Sequence, residues 1–136
     1  MPVFKNVTDI KPYAFQSCAG LVDITIPDCV ATVAGGAFYG CANLQRVVIG
    51  LGVEKIGVQA FANCASLNEV ICKPTTPPVP DYNRYTQYWD AFKNVSQSLK
   101  IYVPDGTVDA YTQAWVNMVS PNLKDRIFVD PATVGN

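Results

Sequence analysis

The sequence predicts an α+β solenoid: a right-handed coil with a parallel sheet and short helical turns, closed at its C-terminal end by a capping helix. Three observations predict it. Phe15, Phe38 and Phe61 recur every 23 residues. Each is followed three residues later by Cys18, Cys41 or Cys64, and three further by Leu21, Leu44 or Leu67. The same spacing holds in flanking apolar columns: Ala14, Ala37 and Ala60; Ile24, Val47 and Val70; Ile26, Ile49 and Cys72. A fixed period in the twenties marks a short unit that buries its apolar face only against copies of itself.

Extending the period towards the N-terminus sets Val7 under Val30, Ile10 under Val33 and Val3 under Ile26, so the chain opens partway through a coil. That face is expected to be raw, open to self-association or a partner domain. Within a coil, Leu44-Gln45-Arg46-Val47-Val48-Ile49-Gly50 alternates β-branched apolar residues and stops at glycine, which reads as a short strand. Val53-Glu54-Lys55-Ile56 reads as a second extended piece at a corner. The three-residue spacing of Phe, Cys and Leu suits a turn of 3₁₀- or α-helix.

The period breaks once. Ala91-Phe92 stands 31 residues after Ala60-Phe61, one period plus eight residues, and Ile101 and Val103 then resume the strand columns. Before the break, Pro74-Thr75-Thr76-Pro77-Pro78-Val79-Pro80 reads as a stiff strap leaving the coils. Val95 takes the cysteine column of a degenerate last coil. Val108, Tyr111, Trp115 and Met118 then fall three or four apart, predicting an amphipathic capping helix that Asp105 or Thr107 caps and that ends before Pro121. Arg126-Ile127-Phe128-Val129 reads as a short final strand. The expected organisation is one domain over residues 1–136: coils at 3–73, an aromatic insertion at 74–90, the last coil at 91–106 and the cap at 107–129.

Composition excludes several function classes. At 49% apolar content and formal net charge −1, nothing suggests disorder or a polyanion-binding surface, so nucleic acid is not an expected partner. No apolar run is long enough for a membrane span. Met1-Pro2-Val3-Phe4-Lys5 lacks the regions of a secretion signal, so either the protein is cytosolic or a leader and earlier repeats lie outside this chain. With five cysteines but no histidine and no close ligand pair, no metal or other cofactor is expected. The cysteine column reads as buried thiols acting as small hydrophobes.

Catalytic constellations are thin. The absence of histidine removes the triads that use it as base, and no phosphate-binding glycine loop is present. Asp81 and Asp90 bracket the aromatic insertion, and paired carboxylates can hydrolyse glycans, but two aspartates in a loop are more often simply solvated. A non-enzyme is expected.

The unit Ile56-Gly57-x-x-Ala60-Phe61-x-x-Cys64-x-x-Leu67-x-x-Val70 resembles the repeat of the BspA-like leucine-rich-repeat family. The run Ile101-Tyr102-Val103-Pro104-Asp105-Gly106-Thr107 is similar to the ending of bacterial members. The resemblance implies a leucine-rich-repeat-type solenoid without an active site. It also implies a secreted or bacterial cell-surface adhesion module, whose partners are proteins or glycans on host or neighbouring cells.

Candidate contact residues follow from strand alternation. Asp23, Arg46, Glu69 and Lys100 share one outward column, either a self-satisfied charge ladder or a ligand-facing stripe. Thr25, Val48, Ile71 and Tyr102 share the next, which strand propensity alone explains but which also suits a protein-binding face. The insertion adds Tyr82, Tyr85, Tyr88 and Trp89, aromatics that either form a recognition loop or fold back over the coils. A structural spacer within a larger surface protein is the competing reading.

Overall fold

The computed structural model describes residues 7–81, 85, 88–117 and 120–135. Two parallel sheets run through it. One contains β2 (Asp23–Ile26), β4 (Arg46–Ile49), β6 (Glu69–Cys72), β8 (Lys100–Val103) and β9 (Ile127–Val129), in that order. The other contains β1 (Asp9–Ile10), β3 (Thr32–Val33), β5 (Lys55–Gly57) and β7 (Val79–Asp81). The three repeats that contribute β2, β4 and β6 each give a second strand, β3, β5 or β7, to the other sheet, because a turn that begins at Pro27, Gly50 or Lys73 separates their two extended runs. In register, Ile24 lies against Val47 and Val47 against Val70, so the 23-residue period is the strand-pairing register itself, and the pairing of Val70 with Ile101 keeps the same columns across the eight extra residues. The N-terminal expectation holds for Ile10, which pairs with Val33, whereas Val3 falls outside the described residues.

Between the sheets the files close into a dry core. The rings of Phe15, Phe38, Phe61 and Phe92 stack face to face, with centroids 5.2, 5.2 and 5.5 Å apart and planes within 7° of parallel. Leu21, Leu44 and Leu67 are buried beside them. Stacking identical side chains at strand spacing removes every apolar column from water at once, which an isolated repeat cannot do.

The Phe-x-x-Cys-x-x-Leu segments are not helical. They are chains of tight turns in which Cys41 N–H donates to Phe38 O at 3.3 Å and Leu44 N–H to Cys41 O at 3.1 Å. Alternate amides are spent elsewhere: Phe15 N–H donates to Ala37 O, Phe38 N–H to Ala60 O and Phe61 N–H to Ala91 O, all at 2.8 Å. This third side is thus hydrogen-bonded from repeat to repeat as well, and a helix, which needs every amide for its own turn, is excluded. The alternation requires a left-handed backbone at two columns: Tyr13, Gly36, Gln59 and Asp90, then Ser17, Gly40, Asn63 and Asn94.

The proline-rich segment is also corrected. It does not leave the repeats. Lys55 pairs with Val79 and Ile56 with Pro80, making residues 79–81 the last strand of the second sheet. Proline lacks an amide to donate and is tolerated because β7 is an edge strand.

The C-terminal segment packs over the last repeat in a form the spacing did not predict. α1 (Val108–Tyr111) is a single α-turn, continued by a π-helical stretch at Thr112–Asn117 in which Ser120 N–H reaches back to Trp115 O at 2.7 Å. Neither expected cap forms. Thr107 Oγ1 donates backwards to Pro104 O at 2.6 Å, and no side chain caps the helix. Met118 lies outside the described residues. The inward residues do pack as expected: Tyr111 and Trp115 are buried, with Trp115 5.3 Å from Trp89 and 5.8 Å from Phe92 between ring centroids.

Candidate binding surface

Strand alternation divides the five-stranded sheet cleanly. In β2, the residues at 24 and 26 are buried and those at 23 and 25 exposed, and β6 and β8 repeat the pattern in weaker form. The structure therefore brings Asp23, Arg46, Glu69 and Lys100 into one outward row, paired strand to strand. Arg46 bridges both acids, at 3.7 Å to Asp23 and 3.5 Å to Glu69. Lys100 leaves the ladder. Its Nζ lies 5.8 Å from the centroid of the Phe128 ring, a cation–π contact. The ion pairs are well exposed and contribute little stability, but they leave this row nearly neutral to an approaching partner.

The second row sets Thr25, Val48, Ile71 and Tyr102 side by side. Because β9 adds a fifth strand beyond β8, Phe128 extends this row, with its ring 6.2 Å from that of Tyr102. The sequence reading missed Phe128 as a surface residue. Its signal was the alternation of Ile127, Phe128 and Val129, which could have been set against Ile101, Tyr102 and Val103. Val48 is corrected: although it occupies an outward position it is only 6% exposed, flanked by Thr25 and Ile71, and so offers little contact area. Ile71 and Tyr102 are half-buried, Thr25 is exposed, and Phe128 is 41% exposed.

The insertion splits in two. Tyr85 is 99% exposed and Tyr88 63%. Trp89 is corrected outright: it is fully buried, donates from Nε1 to Ile56 O at 2.9 Å and stands edge-on to Phe92, so it anchors the loop and is no contact residue. Tyr82 lies outside the described residues. Asp81 ends β7 at the surface, and Asp90 sits in a left-handed turn whose carbonyl accepts from Lys93 N–H.

The cysteines do more than fill space. Cys41 Sγ donates to Phe15 O at 3.0 Å and Cys64 Sγ to Phe38 O at 3.2 Å, so each thiol ties its turn to the repeat before. The hydrogen bond with Cys41, followed by burial, pushes the Cys64 thiol well up. Burial does the same for Cys72 and for Tyr111 beside it. Among the described residues no helix is long and apolar enough to cross a membrane, and no group of three or more potential ligands is placed to hold a metal.

Two parallel sheets in 23-residue register, with a flat exposed strand face, define the class of leucine-rich repeat proteins. The match is specific: the BspA type leucine rich repeat region is found in six copies across residues 2–124, and the chain belongs to that family. Comparison with curated proteins returned no match. Repeats of this kind are generally interaction modules without catalysis, and BspA-type repeats occur on bacterial surface proteins.

Proposed function

We propose that the chain is an adhesion module, outside the cell or on a bacterial surface, that binds a protein or glycan of a host or neighbouring cell through its five-stranded sheet. One right-handed, C-terminally capped solenoid domain spanning 1–136 is the scaffold for that face. The observation that carries the reading is the row of Thr25, Ile71, Tyr102 and Phe128 beside charges that Arg46 already pairs. A face whose charges are internally compensated and whose aromatic residues remain accessible loses little on desolvation, which suits a partner surface. Tyr85 and Tyr88, held out by the Trp89 anchor, are a second contact region of the same module.

The test is the double variant Ile71→Ser/Tyr102→Ser, assayed for adhesion to immobilised matrix proteins and to cells. Adhesion lost at an unchanged melting temperature supports recognition by the sheet. Full adhesion retained, or none by the wild type, favours a structural spacer.

A further inference from the structure

The turns that precede β8 and β9 lie side by side at one corner of the five-stranded sheet and enclose an open hollow of about 340 Å³. Lys100, Lys124 and Arg126 line it against a single acid, Asp125. Three of the chain's ten cations thus converge in one place on a protein of net charge −1. We propose that this hollow binds an acidic saccharide.

Two of the three cations, Arg126 and Lys100, are held in place by contacts of their own. Arg126 Nη1 donates to Gln97 O at 2.8 Å and Leu99 O at 3.1 Å, which fixes the guanidinium at the wall and leaves its other donors for a carboxylate or sulfate. Lys100 is placed over the Phe128 ring. Among the described residues neither Lys100 nor Lys124 forms a salt bridge, so no carboxylate neutralises either one. Phe128, 41% exposed and beside Tyr102, offers the part of its ring surface not taken up by Lys100 to the C–H face of a sugar. Gln97 and Ser98 add amide and hydroxyl groups suited to sugar hydroxyls. An acidic peptide would use the cations but not this platform, and a neutral glycan the platform but not the cations.

The assignment rests on the binding reading above, but its key residues, Lys100 and Lys124, are not those of the adhesion test. Three probes decide it by titration into isotopically labelled protein: a hyaluronan hexasaccharide, maltohexaose and a hexaglutamate peptide. The hyaluronan probe is expected to move the amide signals of residues 97–100 and 124–128. Its affinity should fall at least about tenfold between about 50 and about 300 mM NaCl, because exposed charges drive it. Lys100→Gln/Lys124→Gln should weaken it about tenfold or more at an unchanged melting temperature, and Phe128→Leu should weaken it without changing the salt dependence. Equal binding of maltohexaose, tighter binding of hexaglutamate, or no hyaluronan shift at low salt overturns the assignment. If hyaluronan is silent while Ile71→Ser/Tyr102→Ser still abolishes adhesion, this site fails and the sheet reading stands. If hyaluronan binds while adhesion ignores the sheet variant, the reverse holds.

Discussion

At the residue scale the repeat is governed by backbone geometry as much as by apolar side chains. Gly57 shows this most plainly: a Cβ there would sit 2.3 Å from Gly35 N and 2.7 Å from Ala34 C, both main-chain atoms of the adjacent repeat. No rotamer change relieves such a contact, so Gly57→Ala should cost about 2–3 kcal/mol, read as a lowered midpoint in urea unfolding. Files of Phe, Cys and Leu were legible in the sequence because burial selects side-chain type. The left-handed columns were not, because Tyr13, Gln59 and Asp90 share a conformation with Gly36 but no chemistry. Nor does a cysteine in an apolar file announce that its thiol reaches back to a phenylalanine carbonyl, since that bond depends on how one turn is offset above another.

At the scale of elements, the alternating strands were readable, whereas the proline-bearing β7 and the form of the helical segments were not. Alternation over four residues is a local property, and β2, β4, β6 and β8 all lie where it occurs. Three-residue spacing is ambiguous, since helix and stacked turns both put such residues on one side; competition from neighbouring repeats for alternate amides decided for turns. The proline-rich run and the C-terminal segment are one assembly. Tyr111 Oη donates to Pro74 O at 2.7 Å and Trp115 Nε1 to Pro78 O at 2.9 Å, so the aromatics of one segment satisfy buried carbonyls of the other. Tyr111→Phe keeps the ring but leaves the Pro74 carbonyl unpartnered, and should cost about 1–2 kcal/mol in thermal unfolding. Trp89 belongs to the same cluster, which is why an aromatic read as a candidate contact turned out to be an anchor.

At the scale of the whole molecule, buried titratable groups set an alkaline limit. Cys72 and Tyr111 both have their ionisation pushed, chiefly by burial, above the ordinary values of 9.0 for the thiol and 10.0 for the phenol. The unfolded chain therefore loses these protons first, so it binds fewer protons than the native state once pH exceeds about 9. Stability contributed by the neutral groups is complete below that pH and should decline steadily as pH rises through it. Urea midpoints measured between about pH 8 and about pH 11 test this, and Tyr111→Phe should make the decline shallower. A flat profile would mean that these groups are not buried in solution.

Recurrence at 23 residues was enough to specify stacking, strand positions and a shared core, because repeating units that cannot bury an apolar face alone have only one another to bury it against. The binding face was legible only in part: the outward rows follow from alternation, but the place of Phe128 beside Tyr102, the shielding of Val48 and the burial of Trp89 do not. Those depend on which distant segments meet, on β9 returning to the sheet edge and on Trp115 packing against Trp89 and Phe92. Such contacts are long-range and occur once, so no periodicity in the chain records them.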